Sequence, residues 1–129
     1  MKRLEGLNAL ITGASRGIGK AVAEVFAANG ANLALCNKDS EASDWLAGKL
    51  SKEHGIKALG CQLDVSKKDD CQTIVQKMIK EFSSIDILIN NAGITKDNLA
   101  VRMSEEEWDS VVSVNLKGSF LMAQAVARH

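Results

Sequence analysis

The sequence contains neither proline nor tyrosine, and it carries no net charge. Its 129 residues include 16 basic and 16 acidic side chains, which gives a formal charge of zero at pH 7. This balance excludes the basic surface that a nucleic acid or an anionic membrane would require. The lack of tyrosine means that no phenol is available as a proton donor. We therefore expect a small-molecule partner, with no nucleic acid and no membrane.

Long apolar runs and a leader segment are also missing. No apolar run approaches the length that spans a bilayer. Residues 1–6 are too short and too polar for a signal peptide. Apolar residues make up 46% of the chain and charged residues 25%, which is typical of globular proteins. These features predict one domain, located in the cytoplasm or an organelle matrix.

The chain has few residues that could bind a metal or act as a nucleophile. Cys36, Cys61 and Cys71 lack the spacing of metal ligands, and two of them lie in apolar, strand-like runs. We interpret all three as reduced structural thiols. His54 and His129 have no partner in the sequence that suggests a triad or a metal centre. No metal site is predicted.

Glycines cluster in one short stretch, residues 12–19, with the sequence Thr-Gly-Ala-Ser-Arg-Gly-Ile-Gly. The stretch follows a strand-like apolar run and opens into an Ala-rich helical pattern. We predict that Gly13 makes the tight turn, that Gly17 lets the backbone approach a pyrophosphate, and that Gly19 lets the helix pack closely. The first N–H groups of that helix would then face an anion. A simple tight turn is the alternative.

Strand-like and helix-like segments alternate along the whole chain. Apolar runs predict strands over residues 7–11, 32–36, 58–63 and 85–89. Helical periodicity predicts helices over residues 20–28 and 40–54, after residue 66, and through residues 108–122. This alternation predicts an α/β fold of the Rossmann type, a parallel sheet with strand order 3-2-1-4 and helices on both faces. The ligand should lie outside the carboxyl ends of the strands.

Helix ends and exposed faces can be predicted in the same way. Gly30 and Gly55 are expected to end the first two helices. Two capping boxes are predicted, Ser66 with Asp69 and Ser104 with Glu107. Trp45 and Trp108 are interpreted as packing residues. Because the sheet is expected to be truncated after its fourth strand and the following helix, we expect that strand to be an open edge and that helix to expose Val111, Val114, Leu121 and Val126.

Four motifs occur in a fixed order: residues 12–19, Asp64-Val65, residues 90–93 (Asn-Asn-Ala-Gly) and residues 113–115 (Ser-Val-Asn). In this order and spacing the whole chain resembles the short-chain dehydrogenase/reductase family. Residues 93–99, together with Arg102-Met103 and Glu106-Glu107-Trp108, are most similar to 3-oxoacyl-[acyl-carrier-protein] reductases. The resemblance implies reduction of a 3-oxoacyl thioester in fatty acid synthesis, a small or carrier-bound acyl substrate, and a homo-oligomeric parent protein.

The resemblance also implies a cofactor-binding set. It consists of Gly13, Ser15, Arg16, Gly17, Ile18, Gly19, Asn37, Lys38, Asp64, Val65, Asn91, Ala92 and Gly93. In the family, the residue that matches Asp64 accepts a hydrogen bond from the adenine amine. A charge favoured by a helix N-terminus is the alternative for this residue. For Asn90 and Asn91, tying neighbouring strands together is at least as plausible as contacting a ligand.

The end of the second strand bears on the choice between NADP and NAD. A carboxylate there would bind the ribose 2′-hydroxyl of NAD, whereas this sequence has Asn37 and Lys38. Arg16 lies in the glycine turn, and two cations that converge on one phosphate favour NADP over NAD. Asp39 and Glu41 weaken this prediction, because a shift of register would bring a carboxylate to the ribose.

The resemblance implies catalytic groups that these residues do not contain. Family members use a tyrosine as the acid, a lysine four residues later and an upstream serine. No tyrosine is present, and Ser113 and Ser119 do not match the catalytic serine. Asn115 matches an asparagine that supports a proton relay through water to the lysine. By itself, Asn115 is interpreted as a hydrogen-bonded buried amide that bends its helix.

We therefore expect residues 1–129 to be the dinucleotide-binding part of a single Rossmann domain, without the catalytic part and without turnover of their own. The alternative is a non-catalytic NADP-binding or interaction module that pairs with a full-length subunit.

Overall fold

A four-stranded parallel sheet forms the centre of the computed structural model, which describes residues 1–129. The strands are β1 (Asn8–Thr12), β2 (Asn32–Asn37), β3 (Ala58–Gln62) and β4 (Ile87–Ile89). Their order in the sheet is β3-β2-β1-β4, and all neighbouring pairs are parallel. The predicted strand order 3-2-1-4 is therefore confirmed. β4 has only three residues, fewer than the sequence pattern predicted.

Helices connect the strands and continue after the last one. They are α1 (Gly17–Ala28), α2 (Ser40–His54), α3 (Lys68–Phe82), α4 (Glu105–Val111) and α5 (Gly118–Val126). A π-helical segment, Val112–Lys117, joins α4 to α5 without a break. None of these helices has both the length and the apolar character needed to cross a membrane.

Two hydrophobic cores lie on opposite faces of the sheet. Successive side chains of a strand point to opposite faces, so Ala9 and Ile11 lie in one core and Leu10 in the other. The first core contains the buried residues of α1 and α2, and the second contains those of α3 and α5. The sheet is thus covered on both faces, as predicted. Cys36, Cys61 and Cys71 are free and buried in the second core, which agrees with their interpretation as structural thiols.

Helix ends follow the local signals where the capping partners are close in sequence. Gly30 and Gly55 have φ angles of 87° and 66°, a left-handed conformation that glycine adopts without strain. Ser104 is confirmed as the N-cap of α4, because its hydroxyl accepts from the Glu107 N–H at 3.1 Å. The reciprocal bond of a capping box is not formed, since the Glu107 carboxylate accepts from the Ser104 hydroxyl at 3.3 Å and not from its N–H. The predicted box of Ser66 with Asp69 is wrong. α3 begins at Lys68, and the Ser66 hydroxyl instead donates to Asp64 at 2.6 Å, because that carboxylate is a stronger acceptor two residues away.

Both tryptophans are exposed, so their interpretation as packing residues is wrong. Trp45 is 63% exposed and Trp108 is 62% exposed. The helical spacing places Leu46 and Leu50 against the sheet and turns Trp45 outwards. Its ring lies 6.0 Å from the Lys20 ammonium and 5.5 Å from that of Lys49, so two cations partly cover its faces.

The exposed face of the last helical region also differs from the prediction. Val114 and Leu121 are buried, whereas Leu116 and Phe120 are 69% and 60% exposed. Val111 and Val126 are half-buried. The prediction assumed that truncation leaves this helix without a surface to pack against. In the structure Val114 and Leu121 pack into the second core together with residues of α3, so that face is covered within the chain.

Candidate functional site

A cleft of about 710 Å³ opens at the carboxyl ends of the strands. It lies where β1 and its neighbours diverge, at the position predicted for a ligand. The cleft contains eleven of the thirteen predicted cofactor-binding residues: Gly13, Ser15, Arg16, Gly17, Ile18, Asn37, Lys38, Val65, Asn91, Ala92 and Gly93. Gly19 and Asp64 do not line it. The glycine turn, the end of β2 and the segment after β4 therefore meet at one site.

The glycine turn fits this site only because it lacks side chains at critical positions. Gly13 and Gly17 have φ angles of 64° and 58°, which disfavour any other residue. A Cβ atom on Gly19 would lie 2.3 Å from the Gly13 carbonyl oxygen and 2.5 Å from Asn91 Nδ2. Gly19 is thus required for the close packing of α1 on β1, as predicted, and it acts from behind the cleft.

The N-terminus of α1 opens onto the cleft through Arg16, Gly17 and Ile18. Arg16 occupies the N-cap position in extended backbone, and its side chain makes no capping hydrogen bond. No acidic residue lies in the first turn. The first N–H groups of a helix have no partner within the helix, and the helix dipole adds partial positive charge there. This end of α1 is therefore suited to an anion.

Thr12 joins the ends of β1 and β4, a role that the sequence analysis missed. Its hydroxyl oxygen accepts from the N–H groups of Asn91 and Ala92, each at 3.0 Å. The Asn91 side chain donates in turn to the Gly13 carbonyl at 3.0 Å. The strand-tying interpretation of Asn91 is therefore confirmed, and Asn91 also lines the cleft. The neighbouring Asn90 donates to the Ser119 carbonyl at 3.2 Å and ties the same segment to α5.

The end of β2 presents Asn37, Lys38 and Asp39 to the cleft. Asn37 donates from its amide to the Ser15 hydroxyl in the glycine turn. Lys38 and Arg16 are both exposed in the cleft. Asp39 caps α2, and one carboxylate oxygen accepts from the Glu41 N–H at 3.0 Å and the Ala42 N–H at 3.4 Å. One oxygen of the Asp39 carboxylate is therefore already bound to the backbone of α2, and Glu41, the other carboxylate that could favour NAD, does not line the cleft.

Asp64 lies beside the cleft, in an adjacent depression that also includes Lys38 and Lys67. One of its oxygens accepts from the Ser66 hydroxyl at 2.6 Å and the Ser66 N–H at 3.0 Å. The hydrogen bond from the Ser66 hydroxyl lowers the pKa of Asp64 below its usual value, against the opposing effect of partial burial. This carboxylate stays ionised and holds the turn that leads into α3.

Asn115 lies in the π segment, and its amide exchanges hydrogen bonds with the backbone of Ile94. The side-chain oxygen accepts from the Ile94 N–H, and the side-chain nitrogen donates to the Ile94 carbonyl, both at 2.9 Å. The amide is hydrogen-bonded, as predicted, but Asn115 is exposed rather than buried. The prediction failed because the partner is a loop backbone at the protein surface and not the core.

Cys36 links the second core to the cleft. Its carbonyl accepts from the Gly13 N–H at 2.8 Å, so β2 holds the glycine turn directly. Its partner across the strand pair is Cys61, which lies directly opposite on β3. The neighbouring Cys61 thiol, together with burial, raises the pKa of Cys36, and the Cys36 thiol lowers the pKa of Cys61 to about 7. No three His, Cys, Asp or Glu side chains converge as a set of metal ligands.

The sequence pattern of the short chain dehydrogenase family matches residues 7–129. The chain is 45% identical to the 3-oxoacyl-[acyl-carrier-protein] reductase FabG of Chlamydia muridarum over 120 residues, 93% of this chain and 48% of that protein. It is 42% identical to the protein of the same name from Escherichia coli K12 over 124 residues, 96% of this chain and 49% of that protein. The chain thus spans about half the length of these relatives.

The fold is also similar to solved structures. A short-chain type dehydrogenase/reductase from Mycobacterium marinum matches with a TM-score of 0.92 and 40% identity, over 97% of this chain and 49% of that chain. A structure described as a putative short-chain alcohol dehydrogenase from Sinorhizobium meliloti matches with a TM-score of 0.91 and 36% identity. Both similarities extend over nearly all of the described residues.

Proposed function

The chain belongs to the short chain dehydrogenase family, and on this premise we propose that its cleft binds the nicotinamide dinucleotide NADP(H). The observation that carries the proposal is the glycine turn. It leaves no room for a Cβ on Gly19, and it places the uncapped N-terminus of α1 at the cleft. These features suit a pyrophosphate, since backbone can approach it closely and the dipole favours its charge.

Three residues favour NADP over NAD in this proposal, Arg16 in the glycine turn and Lys38 and Asp39 after β2. Arg16 and Lys38 supply two cations to the same cleft. Asp39 is the N-cap of α2, so one of its two carboxylate oxygens is not available to a ribose hydroxyl. A phosphate on the adenosine ribose would meet the cations, and Arg16 could bind two of its oxygens.

The wider proposal concerns the reaction. Residues 1–129 form the dinucleotide-binding part of a reductase that converts 3-oxoacyl thioesters to 3-hydroxyacyl thioesters in fatty acid synthesis. The similarity to two 3-oxoacyl-[acyl-carrier-protein] reductases supports this substrate class. When bound, the nicotinamide supplies the hydride for such a reduction. The residues of this chain bind and orient the cofactor, and Asn115 acts as a positioning residue that holds the loop at Ile94.

The binding proposal is tested by titrating the 129-residue chain with NADPH and NADH and following nicotinamide fluorescence. We expect NADPH to bind more tightly. Arg16→Ala and Lys38→Ala should each weaken NADPH binding by about tenfold, because each removes a charged contact to phosphate, and should affect NADH much less. Lys52→Ala, in the last turn of α2, is the matched control and should change the affinity for neither NADPH nor NADH. Absence of NADPH binding would overturn the proposal.

The reaction is tested by comparing this chain with a longer one that continues through a Tyr-x-x-x-Lys segment. NADPH oxidation with a 3-oxoacyl thioester is expected only from the longer chain, because the 129 residues contain no tyrosine. Turnover by the 129 residues alone would contradict this division of roles. No turnover by the longer chain would favour the alternative function, a non-catalytic dinucleotide-binding module, for which the missing tyrosine is the supporting observation.

We further propose that the parent protein is a homo-oligomer in which copies meet through the exposed apolar side chains Trp108, Leu116 and Phe120. Exposed apolar surface of this kind favours association. In the parent protein, the double variant Leu116→Glu, Phe120→Glu should have the mass of a monomer when it is measured by light scattering. Val25→Glu changes an equally exposed apolar residue on α1 and should leave the mass unchanged. An unchanged mass in the double variant would exclude this surface.

A further inference from the structure

Asn37 and Ser15 are joined by a hydrogen bond between the end of β2 and the glycine turn. The Asn37 amide nitrogen donates to the Ser15 hydroxyl oxygen across 22 residues of sequence. Both residues are half-buried and both line the cleft. No other side chain connects the end of β2 with the glycine turn by a hydrogen bond. The pair is therefore part of the site itself.

Asn37 is the fixed member of this pair. It is the last residue of β2, lies opposite Gln62 in the sheet, and accepts the Leu63 N–H at its carbonyl at 2.9 Å. Ser15 belongs to a turn, and its side chain makes no other hydrogen bond within the chain. A serine hydroxyl rotates to suit its partners. The direction of the Ser15 hydroxyl is thus set by Asn37.

The direction of the bond decides what Ser15 can offer a ligand. A hydroxyl has one hydrogen to donate and two lone pairs that can accept. Because Ser15 accepts from Asn37, one lone pair is used and its hydrogen remains free. Arg16 and Lys38 lie at the same end of the cleft, so an acceptor bound there would be anionic. The hydroxyl hydrogen is available to that anion.

We propose that Asn37 is a positioning residue that makes the Ser15 hydroxyl a hydrogen-bond donor to the 2′-phosphate of NADP(H). Asn37 thereby contributes to the choice of NADP over NAD through Ser15 and not by contacting the phosphate. This inference rests on the proposed binding of NADP(H) in the cleft. Arg16 and Lys38 would attract a phosphate whatever residue stands at position 37. The inference adds the requirement that the side chain of residue 37 donates a hydrogen bond to Ser15 and does not accept one.

The proposal is tested by calorimetric titration of the 129-residue chain with adenosine 2′,5′-bisphosphate, and with 5′-AMP, which lacks the 2′-phosphate. Ser15→Ala and Asn37→Ala should each weaken binding of the bisphosphate by about tenfold, the value of one hydrogen bond to a charged group. Binding of 5′-AMP should change little. The double variant should bind no more weakly than Ser15→Ala, because Asn37 acts through Ser15.

Asn37→Asp tests the polarity of the bond. The carboxylate has nearly the same shape but can only accept, so it would turn the Ser15 hydrogen away from the phosphate and add repulsion. We expect Asn37→Asp to weaken bisphosphate binding more than Asn37→Ala does. Asn32→Ala is the matched control at the opposite end of the same strand, where the side chain makes two structural hydrogen bonds. It should lower the melting temperature and leave the preference for the bisphosphate unchanged.

The outcomes separate this inference from the function on which it rests. If the wild-type chain binds no bisphosphate, the proposed NADP(H) site fails and the inference falls with it. If the wild type binds and Asn37→Ala has no effect, the inference alone is wrong. If the fold-losses of bisphosphate affinity in Ser15→Ala and Asn37→Ala multiply in the double variant, Asn37 contacts the phosphate independently of Ser15. That result would also overturn the positioning role. Melting temperatures of all variants confirm that each one is folded.

Discussion

Asn115 and Ile94 hold each other through two hydrogen bonds of 2.9 Å, one accepted and one donated by the same side-chain amide. Asn115 lies in the π segment, and Ile94 lies in the loop that follows β4 and lines the cleft. Asparagine suits this position because its amide is both a donor and an acceptor, and can pair with both groups of one backbone residue. The loop at the cleft is thus attached to the helical region that follows it.

Asn115→Ala should therefore destabilise the chain and loosen this loop. Two hydrogen bonds at an exposed site correspond to about 1–2 kcal/mol in the free energy of unfolding. Urea denaturation measures the loss, and amide hydrogen exchange at Ile94 should become faster. Asn29→Ala removes one exposed amide bond to the Val25 carbonyl at the end of α1 and is the control. Equal stability of Asn115→Ala and the wild type would contradict this role.

Gly19→Ala should damage the glycine turn, whereas Gly48→Ala should be tolerated. A Cβ on Gly19 would lie 2.3 Å from the Gly13 carbonyl oxygen, so the turn or α1 must shift. We expect Gly19→Ala to lower the free energy of unfolding by at least about 2 kcal/mol, as overpacking does in protein cores. It should also abolish NADPH binding. Gly48 lies on the exposed face of α2 with nothing within 4 Å of its added Cβ.

Gly48→Ala should therefore increase the free energy of unfolding by up to about 1 kcal/mol, because alanine has a higher helix propensity than glycine. Thermal and urea unfolding of the two variants give the comparison directly. A mild effect at Gly19 would show that the turn can rearrange, and the predicted contact of α1 with Gly13 would then not limit substitution.

Thr12→Val should be costly although it preserves the shape of the side chain. The hydroxyl accepts from two N–H groups, those of Asn91 and Ala92, and Thr12 is 1% exposed. Valine would leave the Ala92 N–H without a partner, whereas the Asn91 N–H keeps the Ile89 carbonyl at 3.1 Å. Urea denaturation should show a loss of about 1–3 kcal/mol in the free energy of unfolding, the cost of one unpaired buried N–H group. Thr73→Val, on the exposed face of α3, is the control and should stay within about 0.5 kcal/mol of the wild type.

The stability contribution of Asp64 should disappear in acid. Hydrogen bonding to Ser66 lowers the pKa of Asp64 in the folded protein below its usual value of 3.8. The folded state therefore binds fewer protons than the unfolded state, so the contribution is present above that value and is lost as pH falls through the lower folded pKa. Asp64→Asn should be less stable than the wild type at pH 7, and the difference should shrink below about pH 4.

Urea denaturation at several pH values measures this difference. Asp97→Asn, in the exposed loop after β4, removes one negative charge without removing a hydrogen bond and serves as the control. A difference between Asp64→Asn and the wild type that stays constant from pH 7 to acid would mean that the hydrogen bond to Ser66 does not depend on the charge of Asp64.

The amino-acid sequence determined the strand order, both faces of the sheet and most of the cleft. Strand and helix periods depend on residues within a few positions of each other, and Gly13, Gly17 and Gly30 report backbone conformations directly. Parallel crossovers leave few topologies for such an alternation. Three of the four motifs, residues 12–19, 64–65 and 90–93, could be assigned to one edge of the sheet because each follows a strand, whereas residues 113–115 lie in the π segment.

Only the tertiary structure decided the contacts between distant segments. Thr12 accepts from Asn91 and Ala92 across 79 and 80 residues, and nothing near Thr12 in the sequence indicates these partners. Asp64 competes for the Ser66 hydroxyl and displaces a capping box that local spacing predicted. Packing of Val114 and Leu121 into the second core leaves Leu116 and Phe120 as the exposed apolar side chains. Hydrogen-bond partners and exposed faces of this kind depend on which acceptors and surfaces folding brings together. Sequence spacing does not indicate which of several possible partners a group will bind.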